Sequence, residues 1–336
     1  MTMENEAKKR IFSGIKPTGE LHLGSYLGAI KNWVGLQDEY DCVYCIVDMH
    51  AVTVRQDPAI LRKRTLGLLA QYVACGLDPD KNIMFIQSHV PAHAELTWVL
   101  NCFTMVGELN RMTQFKDKSK KNKENINAGL YDYPVLMASD ILLYQADLVP
   151  VGDDQKQHVE LCRDVAGRFN GVYGNVFTIP EPFIPKIGAR IMSLSDPGSK
   201  MSKSEEDPAG TIDLLDTPEM ILSKFKKAVT DSETCVRYDP KNKKGVSNLM
   251  SIYGASTGKT FTEIEAEFEG KGYGAFKPAV GEAVVELLRP IREKAAQLLS
   301  DKAYLEDIYK TGAQRASALA ARTLSKVYKK IGFVAK

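Results

Sequence analysis

Nowhere in these 336 residues do about 18 apolar residues run together, so no segment reads as a membrane-spanning helix. The opening residues, MTMENEAKKR, carry charges with no apolar stretch behind them, which is not the pattern of an exported chain. An excess of one charge is missing too. Against 44 Lys and Arg stand 42 Asp and Glu, a net charge of +2. A field that small excludes a general basic coat for nucleic acid. The expectation is a cytoplasmic protein with no membrane partner, whose contacts with polyanions come from local lysine clusters. Two such clusters exist: Lys116, Lys118, Lys120, Lys121 and Lys123 in KDKSKKNK, and Lys241, Lys243 and Lys244 in KNKKG. Either alone also reads as a solvated loop.

Patterned cysteine is absent as well. Cys42, Cys45, Cys75, Cys102, Cys162 and Cys235 are scattered through hydrophobic segments, as thiols of a reducing compartment are. Cys42 and Cys45 form a C-x-x-C inside DCVYCIVDMH. That segment reads as a strand, where residues three apart point to opposite faces, so no metal site is expected there.

The length and the 44% apolar content suit roughly two domains and a large core. Strands are expected at Arg10 to Ser13, Cys42 to Val47, Ile83 to Ile86 and Asp147 to Val151. Helices fall between them: one from about Gly24, with Leu23, Leu27, Ile30 and Val34 on one face; one from Asp57-Pro58 to about Gly76; and a long one to about Phe169. The alternation predicts an α/β fold with a parallel sheet covered on both faces, whose ligands collect at the carboxyl ends of the strands. Beyond about residue 206 only helical periods remain, at Pro218 to Val229, Thr262 to Glu269 and Val280 to Leu299. A smaller, mostly helical second domain is expected there.

Three stretches carry chemistry. The first strand runs into GIKPTGELHLGS (14–25), a glycine-punctuated turn opening into a helix, where backbone N–H groups can meet phosphate. A plain turn with His22 as a capped surface residue is the bland alternative. SKMSKS (199–204) sets Lys200 and Lys203 among serines between DPG and EEDP, and reads as a loop that closes over an anion. Asp140 interrupts the apolar helix VLMASDILL (135–143), where an unpaired carboxylate is costly; a core arginine is its plain partner. GASTGKT (254–260) looks like a phosphate-binding loop but lacks one residue of the spacing and any buried strand before it.

PTGELHLGS resembles the HIGH-type motif of class I aminoacyl-tRNA synthetases, and SKMSKS matches their KMSKS loop. DMHAVT (48–53), FIQSHVPAH (85–93), ELNRMTQFK (108–116), YPVLMASDILLY (133–144), VPVGDDQKQHVELCRDVAGRFN (149–170), IPKIGARIMSL (184–194), AVTDSE (228–233) and GKGYGAFK (270–277) are similar to the bacterial type of tryptophanyl-tRNA synthetases. Two departures stand out: Ser25 where the family commonly has Asn, and Lys16 where Gln is frequent.

The resemblance implies a Rossmann-like catalytic domain over 9–205, with an insertion at about 88–131 that makes a homodimer contact. It also implies a helical anticodon-binding domain over 206–300 and a C-terminal helix (301–336) packed back on the body. It implies ATP brought with Mg2+, L-tryptophan and tRNA(Trp) as partners. Lys200, Lys203, Lys118 and His22 would serve catalysis. Lys16, Gly24, Ser25, Gly152, Asp153, Asp154, Ile191, Met201, Ser202 and Ser204 would join the two loop lysines around ATP. Asp140, Met137, Tyr133, Gln155, His50, Val47 and Val151 would hold tryptophan, with Asp140 accepting the indole N–H. The rival readings are the sister tyrosyl enzyme and an RNA-binding module without catalysis.

Overall fold

The computed structural model describes residues 8–116, 126–152, 155–183, 190–202 and 207–334. Its centre is a parallel sheet of β1 (Arg10–Ile15), β2 (Asp41–Ile46), β3 (Ile83–Ile86), β4 (Leu148–Pro150) and β5 (Glu181–Phe183), in the order β3-β2-β1-β4-β5. The chain steps outward from β1 to β2 and β3, then returns to the other side of β1 for β4 and β5. The gap between β1 and β4 is therefore the switch point, where a crevice opens beyond the strand ends.

The two faces of the sheet follow from the alternation along its buried strands. Ile11, Cys42, Tyr44 and Ile46 join a core with Trp33, Leu68 and Tyr72 on one face. Phe12, Val43 and Cys45 join a second core with Val135, Ile141, Val165 and Phe169 on the other. Cys42 and Cys45 thus lie in opposite layers.

The first face is covered by α4 (Pro58–Ala74), whose N-cap Asp57 accepts from the N–H groups of Ala59 and Ile60 at 2.9 Å. The second is covered by α5 (Ala92–Asn101), α7 (Ala128–Leu142) and α8 (Lys156–Tyr173). Shorter helices α3 (Asp48–Ala51) and α6 (Val106–Arg111) lie between these elements. The helix expected as one piece from Gly24 is three: α1 (Leu23–Ser25), a π turn (Tyr26–Ile30) and α2 (Lys31–Leu36). Leu23, Leu27 and Ile30 still face the core across the wider turn.

The fifth strand was not expected. β5 is three residues long, contains Pro182 and is half exposed, so it has neither the apolar run nor the alternation of a strand.

The second half is helical: α9 (Pro218–Lys227), α10 (Lys244–Thr257), α11 (Phe261–Glu267), α12 (Gly272–Ser300) and α13 (Lys302–Ile331). Its core is continuous with the first face of the sheet, from Leu68 and Tyr72 through Ile212 and Phe225 to Leu288 and Ile308. The last helix, α13, returns to the edge strand β3 and to α5: Arg315 donates to the carbonyls of Pro79 and Asn82, just before β3, and Tyr328 donates to Glu95 on α5.

Candidate active site at the carboxyl ends of the strands

On the nucleotide side, His22 is both buried and the N-cap of α1. Its Nδ1 accepts from the backbone N–H of Ser25 at 3.2 Å. With Nδ1 accepting, Nε2 carries the proton toward Ser25 Oγ at 3.0 Å. His22 is therefore no surface residue. Gly24 lies beneath Ile191, since a Cβ there would stand 3.5 Å from Ile191 Cβ and 3.1 Å from His22 Nδ1. Lys16 follows β1, and burial draws its ammonium below the ordinary value. Gly152 follows β4 across the switch point and accepts from the N–H of Gln155, the residue before α8.

The KMSKS-like segment is held by its methionine. Met201 is 1% exposed and belongs to the first core, while Lys200 is exposed. The backbone around it is paired: Met201 N donates to Ile191 O at 3.1 Å, Ser193 N to Ser199 O at 2.9 Å, and Thr211 Oγ1 to Ser202 O at 3.2 Å. The segment after the loop reaches the first motif, with Leu23 N donating to Ile212 O and Leu214 N to Leu21 O, both at 2.8 Å. Sequence reasoning saw no apolar anchor inside SKMSKS. A lone Met between lysines has no periodic signal, and the structure corrects that reading by burying its side chain. Met201 can meet a ligand through its backbone only. Lys118, Asp153, Asp154, Lys203 and Ser204 lie outside the described residues.

On the other side of β1, Val47, His50, Tyr133 and Asp140 are buried, and Met137, Val151 and Gln155 are partly so. Gly14 lets Val47 close in: a Cβ at position 14 would lie 2.8 Å from Val47 Cγ1. The His50 and Tyr133 rings meet edge to face at 6.1 Å, and Tyr133 Oη pairs with His158 Nε2 at 2.9 Å. Burial pushes the Tyr133 phenol up, so it stays protonated.

Asp140, 1% exposed, is the centre of this group. Its Oδ2 accepts from His50 Nε2 at 2.8 Å, and its Oδ1 from Gln87 Nε2 at 2.7 Å and His93 Nδ1 at 2.6 Å. Burial works to raise the Asp140 carboxyl, and the hydrogen bonds from His50 and His93 outweigh it, holding it below the usual carboxylate range. The partners are thus two histidines and an amide, not the core arginine that sequence reasoning offered. An ionised carboxylate has about four acceptor positions, and the described residues fill three, which leaves one on Oδ2 among them.

Gln87, His93, Tyr144 and His158 were not singled out from the sequence. The first two stand inside FIQSHVPAH, where polar residues in an apolar strand-to-helix passage were the available signal.

The model of the family described as tRNA synthetases class I (W and Y) matches residues 4–289. The chain belongs to that family. Within it, a tryptophan--tRNA ligase of Clostridium tetani (strain Massachusetts / E88) is 60% identical over 327 residues, 97% of this chain and 96% of that protein. The tryptophanyl-tRNA synthetase structure from Mycoplasma pneumoniae superposes with a TM-score of 0.88 at 36% identity, covering 97% of this chain and 98% of its own. That from Campylobacter jejuni, complexed with ADP and tryptophan, gives 0.86 at 36% identity, covering 96% and 100%. Among the described residues, no helix is long and apolar enough to cross a membrane, and no three His, Cys, Asp or Glu side chains cluster as a metal site would.

Proposed function

We propose that this class I synthetase is a tryptophan--tRNA ligase. It joins L-tryptophan to ATP as tryptophanyl-adenylate, releasing pyrophosphate, and then transfers the tryptophan to tRNA(Trp). The observation that carries the reading is the open acceptor position on a buried, ionised Asp140, suited to an N–H donor that an aromatic side chain brings in. The 60% identity to a curated tryptophan--tRNA ligase supports it independently.

In the first step a carboxylate oxygen of the amino acid bonds to the α-phosphorus of ATP, and the bond from that phosphorus to the bridging oxygen breaks. The nucleophile is ionised at neutral pH, so no general base is needed. The enzyme supplies placement and positive charge. Lys200 and Lys203 offer ammonium groups to the departing pyrophosphate, with Lys118 as a third, and Ser202 and Ser204 add hydroxyl donors. His22, Gly24, Ser25, Lys16, Ile191 and the backbone of Met201 seat the nucleotide. Gly152 and Asp153 are assigned to ATP, Asp154 to a ribose hydroxyl, and Gln155 helps hold the amino group. Val47, His50, Met137 and Val151 enclose the indole, and Tyr133 meets the ammonium group. In the second step a ribose hydroxyl at the tRNA 3′ end attacks the acyl carbon and AMP leaves.

Magnesium carried by the triphosphate would offset its charge. The residues assigned to the phosphates are ammonium and hydroxyl groups, a donor set that fits phosphate carrying its own metal.

Residues 206–300 are assigned to the anticodon stem, and 88–131 to a homodimer contact in the cytoplasm. Trp98 and Val106, 70% and 67% exposed, support the latter. Light scattering should then give about twice 37.2 kDa, and a fully active monomer at micromolar concentration rejects the contact.

ATP–pyrophosphate exchange with each of the twenty amino acids tests the whole reading. Tryptophan alone should support exchange at low concentration. Preference for tyrosine places the chain with the sister enzyme, and no exchange with any amino acid rejects an active ligase.

A further inference from the structure

Asp140 is held from behind by a residue that no substrate can touch. His93, in α5, is wholly buried. Its Nδ1 bonds Asp140 Oδ1 at 2.6 Å, and its Nε2 pairs with the Tyr144 hydroxyl at 2.8 Å. The ring is packed between Phe85, with centroids 5.8 Å apart, and Tyr144 at 5.5 Å, and Tyr144 itself stacks on Phe12. The backbone of His93 is tied as well, since its carbonyl accepts from Thr97 Oγ1 and Ser139 Oγ. Ser139 is the neighbour of Asp140 on α7, so the two helices are pinned on both sides of the carboxylate.

We infer that His93 is a positioning residue for amino acid selection. Donating from Nδ1 while Nε2 accepts the Tyr144 hydroxyl, it occupies Oδ1 together with Gln87. The carboxylate is thereby kept ionised and turned so that Oδ2 presents the acceptor that the described residues leave open. This rests on the reading that Asp140 receives the indole N–H. If that reading holds, the choice between an aromatic ring with an N–H and one without depends on a side chain that the amino acid never reaches.

The titratable groups around Asp140 are His50 on α3, His93 on α5, Tyr144 just beyond α7, Cys45 on β2 and Cys162 on α8. Burial pushes both thiols and the Tyr144 phenol upward, so they remain neutral at physiological pH. Without the His93 donor, burial is opposed by fewer bonds and the Asp140 carboxyl rises. Tryptophan affinity then falls as pH is lowered, because the protonated acid is a poorer acceptor.

Two amide substitutions separate positioning from mere support. The amide of His93→Asn falls where Nδ1 stands and still reaches Asp140. The amide of His93→Gln falls near Nε2, reaches Tyr144, and misses the carboxylate. Exchange kinetics for tryptophan and for tyrosine, from about pH 8 down to about pH 5.5, are read beside a thermal melt.

The Gln variant should lose roughly tenfold in kcat/KM for tryptophan, chiefly through KM, with a narrowed preference over tyrosine and a KM that climbs toward low pH. The Asn variant should restore most of the preference. Equal, wild-type-like preferences in both variants, with only the melting temperature lowered, overturn the inference. Asp140→Ala in the same assay tests the underlying reading. An unchanged preference there removes the role of Asp140 itself. A narrowed preference there, with none in His93→Gln, removes only the role of His93.

Discussion

The side-chain amide of Asn248, on α10, grips both backbone groups of Met192, accepting from its N–H and donating to its carbonyl at 2.9 Å each. Met192 is in turn the bridge partner of Lys200. A single buried amide of the helical half thus sets the backbone from which the KMSKS-like segment springs.

Asn248→Ala leaves two inward-facing backbone groups without their partner, which costs about 1 to 3 kcal/mol. Urea unfolding should show that loss. The Michaelis constant for ATP should rise more than that for tryptophan, because Ile191 and Met201 are fixed through the same backbone. A rise confined to tryptophan contradicts this coupling.

Lys200→Ala is expected to act on the chemical step. Its ammonium is exposed and projects from a backbone anchored by Met201, so removing it should leave the fold intact. The maximal exchange rate should fall at least about tenfold while tryptophan binding, followed by its own titration, stays nearly constant. Parallel losses in both quantities remove the lysine from the pyrophosphate step.

Lys243 is a buried cation of the helical half. Its Nζ meets Asp231 at 3.1 Å and Glu233 at 2.7 Å, and it lies 5.7 Å from the Tyr273 ring centre. Lys243→Met strands Asp231 and should cost about 2 to 3 kcal/mol at neutral pH, less than a fully enclosed pair because the two acids keep some water. For Asp231, burial pushes up, but bonds from the Tyr273 hydroxyl and Lys243 win and lower its carboxyl. A lowered acid stabilises fully above its unfolded value, about pH 4, and that contribution fades as pH falls through the folded value. The difference between wild type and variant, measured by urea melts, should therefore be largest at neutral pH and shrink in strong acid. A difference that does not change with pH rejects the ionic account.

Gly312 tests the closure of α13 on β3. A Cβ at this position would stand 1.7 Å from the carbonyl oxygen of Met84, so the helix and strand backbones are in contact. Gly312→Ala has to push the helix off the strand and should destabilise by about 2 to 4 kcal/mol, despite the better helix propensity of Ala. A neutral or stabilised variant in a thermal melt refutes the contact.

The strands that sequence reasoning found are those with unbroken apolar runs, Asp41–Ile46 and Ile83–Ile86 above all, because burial on both faces writes itself into consecutive residues. The cap at Asp57-Pro58 was legible for a local reason as well. What stayed hidden is long-range. Asp140 meets His93, Gln87 and His50 from 47, 53 and 90 positions away, and no period records such a meeting. Its helix and its oddity in an apolar run were visible, but its company was not. The burial of Met201 was hidden for the opposite reason, since one apolar residue among polar neighbours makes no pattern at all.

Arg315 and Asn82 are joined across 233 positions, and that separation sets an order of events during synthesis. By the time α13 is made, β1 to β5 and the segments proposed to meet ATP and tryptophan have long since left the ribosome. The outer side of β3 waits, its backbone unclaimed, and such an edge can template the strand of another chain. A protein that charges tRNA for translation is itself exposed to that hazard at every round of its own translation, until the final helix arrives.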